Sequence, residues 1–141
     1  GEAIGRCRPF AGADRVHVLS YGANVMDLMS ACDFLLHPAR AEAAGQVIAE
    51  SLLAGRPAIV SGICGYAGEI ARSGAGIVLR EPFNPQDLAA AMETMLQQLP
   101  AMTSAAKVEA DRLQSQRGQW LSVIADAIET KAAAPYLPPS T

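Results

Sequence analysis

Two carboxylates eight positions apart, Glu42 and Glu50, lie within the stretch FLLHPARAEAAGQVIAESLLAGRPAIVSGICGYAGEI, which runs from Phe34 to Ile70. Between them a helix is expected to start near Gly45. Its first N–H groups have no intrahelical partner and carry a partial positive charge, so a diphosphate is the natural occupant of that end. Gly45 also leaves room for a ligand to approach the backbone closely. Eight helical residues span about 12 Å, but Glu42 falls in the loop before the helix and Glu50 in its second turn. A diphosphate resting between them would have a sugar on one side and a ribose on the other, and each carboxylate could accept hydrogen bonds from vicinal hydroxyls. That geometry suits a nucleotide-sugar. The spacing alone is equally met by acids that merely favour a helix N-terminus, or by a glutamate solvated on a helix.

Other reactive side chains are sparse. His37 ends an apolar run beside the expected crevice; a catalytic role and a hydrogen-bonded structural role both fit, and the structural one is the commoner. His17 sits in an apolar segment. Cys64 lies in a glycine-bearing loop without a basic neighbour in sequence to activate it, which makes it a small packing residue. Cys7, Cys32 and Cys64 form no CxxC pair and no metal-ligand pattern with the histidines. Gly62 and Gly65 suit a turn, with or without a ligand close by.

The elements that position these groups alternate along the chain. Apolar strands are expected at 16–21, 34–36, 58–60 and 77–79. Helices are expected from the Asn24 cap through Cys32, at 45–54 with Gly55 and Pro57 beyond, at 66–73, and at 85–98 with Leu88, Ala91, Met92, Met95 and Leu96 on one face. Further helices are expected at 105–113 and 119–133. Met26, Met29, Met92 and Met95 are assigned to the core. Continuous apolar strands alternating with helices predict an α/β class with a Rossmann-like parallel sheet flanked by helices. Ligands then bind at the carboxyl ends of the strands, where the 38–45 loop lies. Residues 1–15 read as a truncated lead-in segment, residues 16–133 as the ligand-binding domain with its C-terminal helices, and residues 134–141 as a flexible proline-rich tail.

The chain has 141 residues, half of them apolar and 18% charged, which favours a folded domain over disorder. Its net charge of −3 gives no electrostatic ground for nucleic-acid binding. No apolar run approaches the length of a membrane span, and the first residues lack the plan of a signal peptide.

The pattern E-x7-E, here EAAGQVIAE, followed by AGRP and a strand, resembles the donor-site motif of retaining GT-B glycosyltransferases. HPA-x-x-EAAG, AGRPAIVSGICGYAGEI and the later EPF at 81–83 narrow the resemblance to lipopolysaccharide-core glucosyltransferases that add glucose to heptose. It runs from about Val16 to Ala127 and implies the C-terminal, donor-binding half of a GT-B fold, lacking its first strands. By this resemblance Glu42 matches the first acid, which binds hydroxyls of the transferred sugar and is the catalytic candidate, and Glu50 matches the second, which binds the ribose. The backbone N–H groups of Ala44, Gly45, Gln46 and Val47 meet the sugar and diphosphate, and Tyr21 and Gly22 lie near the nucleobase. Such enzymes are typically metal-independent, and no Asp-x-Asp motif occurs here.

The resemblance further implies a UDP-sugar donor, UDP-glucose first, and a glycolipid acceptor held by a separate N-terminal domain. The complete enzyme would be cytoplasmic and peripheral to the inner face of the cytoplasmic membrane. The acceptor domain and the basic pair that neutralises the leaving diphosphate have no counterpart in these residues; Arg40 is merely close to the motif. Turnover by the chain alone is therefore not expected. Two other readings stand beside this one: a transferase of the same fold using another NDP-sugar, and a non-catalytic nucleotide-binding remnant. An epimerase on the same fold is disfavoured by the CGYA and EAAG context.

Overall fold

A computed structural model of the chain describes residues 16–17, 19, 24–42 and 44–133. Its elements are α1 (Val25–Ala31), β1 (Leu35–His37), α2 (Gln46–Leu53), β2 (Ala58–Ser61), α3 (Ala67–Ser73), β3 (Gly76–Leu79) and α4 (Pro85–Ala133). The three strands are parallel in the order β1-β2-β3, with Leu36 opposite Ile59 and Ile59 opposite Ile77. Parallel neighbours need crossovers, and α2 and α3 supply them. The expected strands at 34–36, 58–60 and 77–79 thus fall within a residue of those observed, and the parallel α/β class holds. The expected strand at 16–21 lies largely outside the described residues, as do Tyr21 and Gly22.

Local chemistry accounts for the boundaries. Asn24 Oδ1 accepts from Met26 N at 3.1 Å and caps α1. Asn84 does the same for α4, its Oδ1 accepting from the N–H groups of Gln86 and Asp87. In return the Asp87 carboxylate accepts from Asn84 N at 2.9 Å, the reciprocal arrangement of a capping box. β3 begins at Gly76, where a Cβ would lie 1.9 Å from the Ala58 carbonyl oxygen, so only glycine lets β2 and β3 come this close.

Two apolar layers sandwich β2, whose residues are all buried. Ala58 and Val60 face Ile48 and Leu52 of α2, Ile70 of α3, and Ala106 of α4. Ile59 faces the other way, with Leu79, Phe83, Ala91 and Met95. This alternation within a continuously apolar strand is the expected mark of a sheet covered on both sides.

Three expectations are corrected. The helices expected at 85–98, 105–113 and 119–133 form one helix of 49 residues that runs through Pro100. Proline there removes the N–H that would bond the Leu96 carbonyl. Leu96 is 61% exposed, so water can take that bond, while packing anchors the helix on either side. Leu88, Met92, Leu99 and Met102 pack on the Ile59 side of the sheet, and Ala105, Ala106 and Leu113 on the α2–α3 side. Leu96 accordingly lies off the core-facing stripe assigned to it. Met26 is exposed and Met29 only half-buried, rather than core, since α1 buries none of its residues.

α3 and α4 are also joined by charge. Glu109 is 3% exposed and its carboxylate accepts from Arg72 Nη2 at 2.6 Å and from Arg112 Nε at 2.9 and 3.0 Å. Arg112 reaches Glu69 on α3 as well, at 3.2 Å. Hydrogen bonds from Arg112 first, then from Arg72, hold the Glu109 carboxyl below its ordinary range against the opposing effect of burial.

Candidate functional site

All three strands end on one edge of the sheet, at His37, Ser61 and Leu79, and the loops that follow them are tied together. Ser61 Oγ donates to the Ala39 carbonyl at 2.6 Å, joining the loop after β1 to the end of β2. Arg40 Nη2 donates to the Phe83 carbonyl at 2.9 Å, and its guanidinium carbon stands 4.1 Å from the centre of the Phe83 ring. Arg40 Nη1 also lies 3.8 Å from Glu81. The EPF segment is thereby fastened to the loop that carries Glu42. Arg40 is engaged in holding two loops together.

Glu42 lies in that loop, eight residues before Glu50, which is half-buried in the second turn of α2. Glu42 Oε2 is 3.4 Å from His37 Nε2, with the two side chains 25% and 29% exposed. Among the described residues no cation pairs with Glu50. Glu42 thus precedes the N-terminus of α2 and Glu50 lies within the helix.

Gly45 caps that helix in the left-handed conformation, with φ of 68°. A Cβ on it would meet Ile48 Cδ1 at 2.9 Å and Cys64 Cβ at 3.6 Å. Its glycine requirement thus comes from the backbone turn and from packing underneath, in addition to any ligand above. Ala44 and Gln46 are exposed, and Val47 is half-buried. No acid sits in the first turn of α2 to neutralise its positive end. Cys64 is buried, as expected of a packing residue, with its sulfur 3.3 Å from Ser61 Oγ. Ser61, fully buried, was without a signal in the sequence beyond being the polar end of an apolar strand.

A separate groove of about 430 Å³ is lined by Ala49, Leu53, Tyr66, Leu113 and Gln114. Its lining holds neither an acid nor a cation. Among the described residues no group of three or more His, Cys, Asp or Glu is placed to hold a metal ion, and no helix is long and apolar enough to cross a membrane.

With this geometry in view, the comparisons with known proteins are informative. The family model "Glycosyl transferases group 1" matches residues 10–109, more than two thirds of the chain. The lipopolysaccharide glucosyltransferase WaaG of Escherichia coli strain K12 is 44% identical over 85 residues, which is 60% of this chain and 23% of that protein. The crystal structure of WaaG, a glycosyltransferase involved in lipopolysaccharide biosynthesis, matches with a TM-score of 0.65 at 40% identity, covering 70% of this chain and 27% of its own. The chain spans about a quarter of the length of these two. It belongs to the group 1 glycosyl transferases.

Proposed function

We propose that this chain forms the donor site of a retaining hexosyltransferase, binding UDP-glucose for transfer to a lipopolysaccharide-core acceptor. The observation that carries the reading is the arrangement at the strand ends: Glu42 before and Glu50 within α2, around a helix start left without an acid in its first turn. Helix N-termini bind phosphate through unpaired N–H groups. Here those of Ala44, Gly45, Gln46 and Val47 take the sugar and diphosphate, Glu50 takes the ribose hydroxyls, and Glu42 takes hydroxyls of the transferred glucose. Tyr21 and Gly22 serve the nucleobase. As the bond to the anomeric carbon breaks, charge builds on the departing diphosphate, and the oriented N–H groups stabilise it without reorganisation.

This needs no metal ion, and donor binding is accordingly metal-independent. The likeness to WaaG, a lipopolysaccharide glucosyltransferase, supports a lipopolysaccharide acceptor. Since the acceptor side of a GT-B site belongs to its other domain, these 141 residues bind donor without transferring its sugar.

Calorimetric titration of the chain with UDP and UDP-glucose, repeated on Glu50→Ala, tests the reading. Hydrogen bonds to a charged group contribute about 1.5–3 kcal/mol, so the substitution should weaken UDP by roughly 10- to 100-fold. A folded chain that binds no UDP, or binds it equally well without Glu50, would sink the proposal.

A further inference from the structure

We infer that His37 is a positioning residue for Glu42, setting the carboxylate that receives the transferred sugar. The inference rests on the donor-site reading and extends it to a residue outside the E-x7-E pattern. His37 is the last residue of β1, and Pro38 after it confines its backbone to the extended region, so the imidazole starts from a fixed base. Its Nε2 is shut off from solvent yet makes no hydrogen bond. The Glu42 carboxylate lies 3.4 Å away, beyond a good hydrogen bond but within reach of a small rotation.

A shielded donor without an acceptor is costly, and a polar residue ending an otherwise apolar strand needs a reason. The loop bearing Glu42 supplies one. It is fastened at Ala39 by Ser61 and at Arg40 by the Phe83 carbonyl, which set the backbone upstream of the acid, and the carboxylate stands 3.4 Å from His37 Nε2. A carboxylate receiving vicinal hydroxyls uses both its orientation and its free lone pairs. A donor on one oxygen fixes the first and keeps the second available. Imidazole carrying its proton on Nε2 does this whether neutral or charged. Sugar hydroxyls that pull Glu42 into register would close the 3.4 Å gap, so the His37 bond forms as the sugar binds.

The prediction separates the sugar from the nucleotide. Removing the donor with His37→Phe should weaken UDP-glucose by roughly 10- to 100-fold, as loss of one hydrogen bond to a carboxylate does, and leave UDP unchanged. His37→Gln, whose amide nitrogen reaches near the Nε2 position, should restore most of the loss. In the unsubstituted chain the His37 ¹⁵N resonances should move on adding UDP-glucose and stay in place on adding UDP. Equal weakening of both ligands in His37→Phe, or of neither, overturns the inference while leaving the donor site standing. If the unsubstituted chain binds neither UDP nor UDP-glucose, the donor reading itself fails and the role of His37 falls with it.

Discussion

Gly45→Ala is the substitution that most directly joins fold to site. Replacing glycine by alanine where the backbone suits both usually stabilises, by about 0.5 kcal/mol, because the unfolded chain loses freedom. At Gly45 the sign reverses. A φ of 68° places an alanine Cβ against the carbonyl of its own unit, at about 1–2 kcal/mol. The same Cβ would stand 2.9 Å from Ile48 Cδ1, the end of a fully buried side chain that must shift to make room, at about 0.5–1 kcal/mol more. The net loss is about 1–2.5 kcal/mol. Urea unfolding followed by far-UV circular dichroism measures it directly. Gly68→Ala provides the internal control: Gly68 lies in α3 without a positive φ, and nothing lies within 4 Å of its added Cβ. That variant should gain about 0.5 kcal/mol. The reasoning fails if Gly45→Ala is as stable as the parent chain or if the two alanines shift stability in the same direction.

The Glu109 cluster predicts how stability follows pH. With its carboxyl held low by Arg112 and Arg72, Glu109 binds a proton less readily folded than unfolded, so its contribution is full above the ordinary glutamate value near pH ~4.3. It is lost as pH falls through the lowered folded value. Glu109→Gln should cost about 1–2 kcal/mol at neutral pH, the lower part of the range because both arginines reach solvent, and should flatten the acid limb of a urea-midpoint profile. An unchanged acid limb would remove Glu109 from the account. For the donor site, UDP affinity measured in EDTA should equal that measured in magnesium. A strict magnesium requirement would mean that the helix N-terminus does not carry the diphosphate unaided.

The class of fold was legible because it leaves a mark in local sequence. β2 is buried on both faces, so every position along it is selected for apolarity, and AIV at 58–60 announces a parallel interior strand. Glu42 and Glu50 stand on either side of a glycine that adopts positive φ, and it is the family pattern around them, rather than the spacing, that singles them out. What failed to show depends on partners distant in sequence. The run around Pro100 reads as a break between helices, since nothing nearby reveals that residues up to Met102 grip one face of the sheet and those from Ala105 on the other. Leu96 reads as core because periodicity locates an apolar stripe only to within one residue's rotation, about 100°, and Met26 because an apolar stripe does not reveal that α1 buries none of its residues.

The site divides the same way. Arg40 is merely close to the motif in sequence; in the fold it lies over Phe83, 43 residues on, and bonds its carbonyl. A sequence containing HPARAE offers both His37 and Arg40 as candidates for ligand chemistry, and it is the third dimension that sorts them. Arg40 turns outward to tie two loops, while His37 turns to the acid. The groups that recognise a ligand and those that hold the recognising groups in place share six consecutive residues, so substitutions in this short loop will alter affinity and stability together unless chosen by contact. The paired substitutions at His37, which keep or remove a single donor at one point, are chosen on that ground.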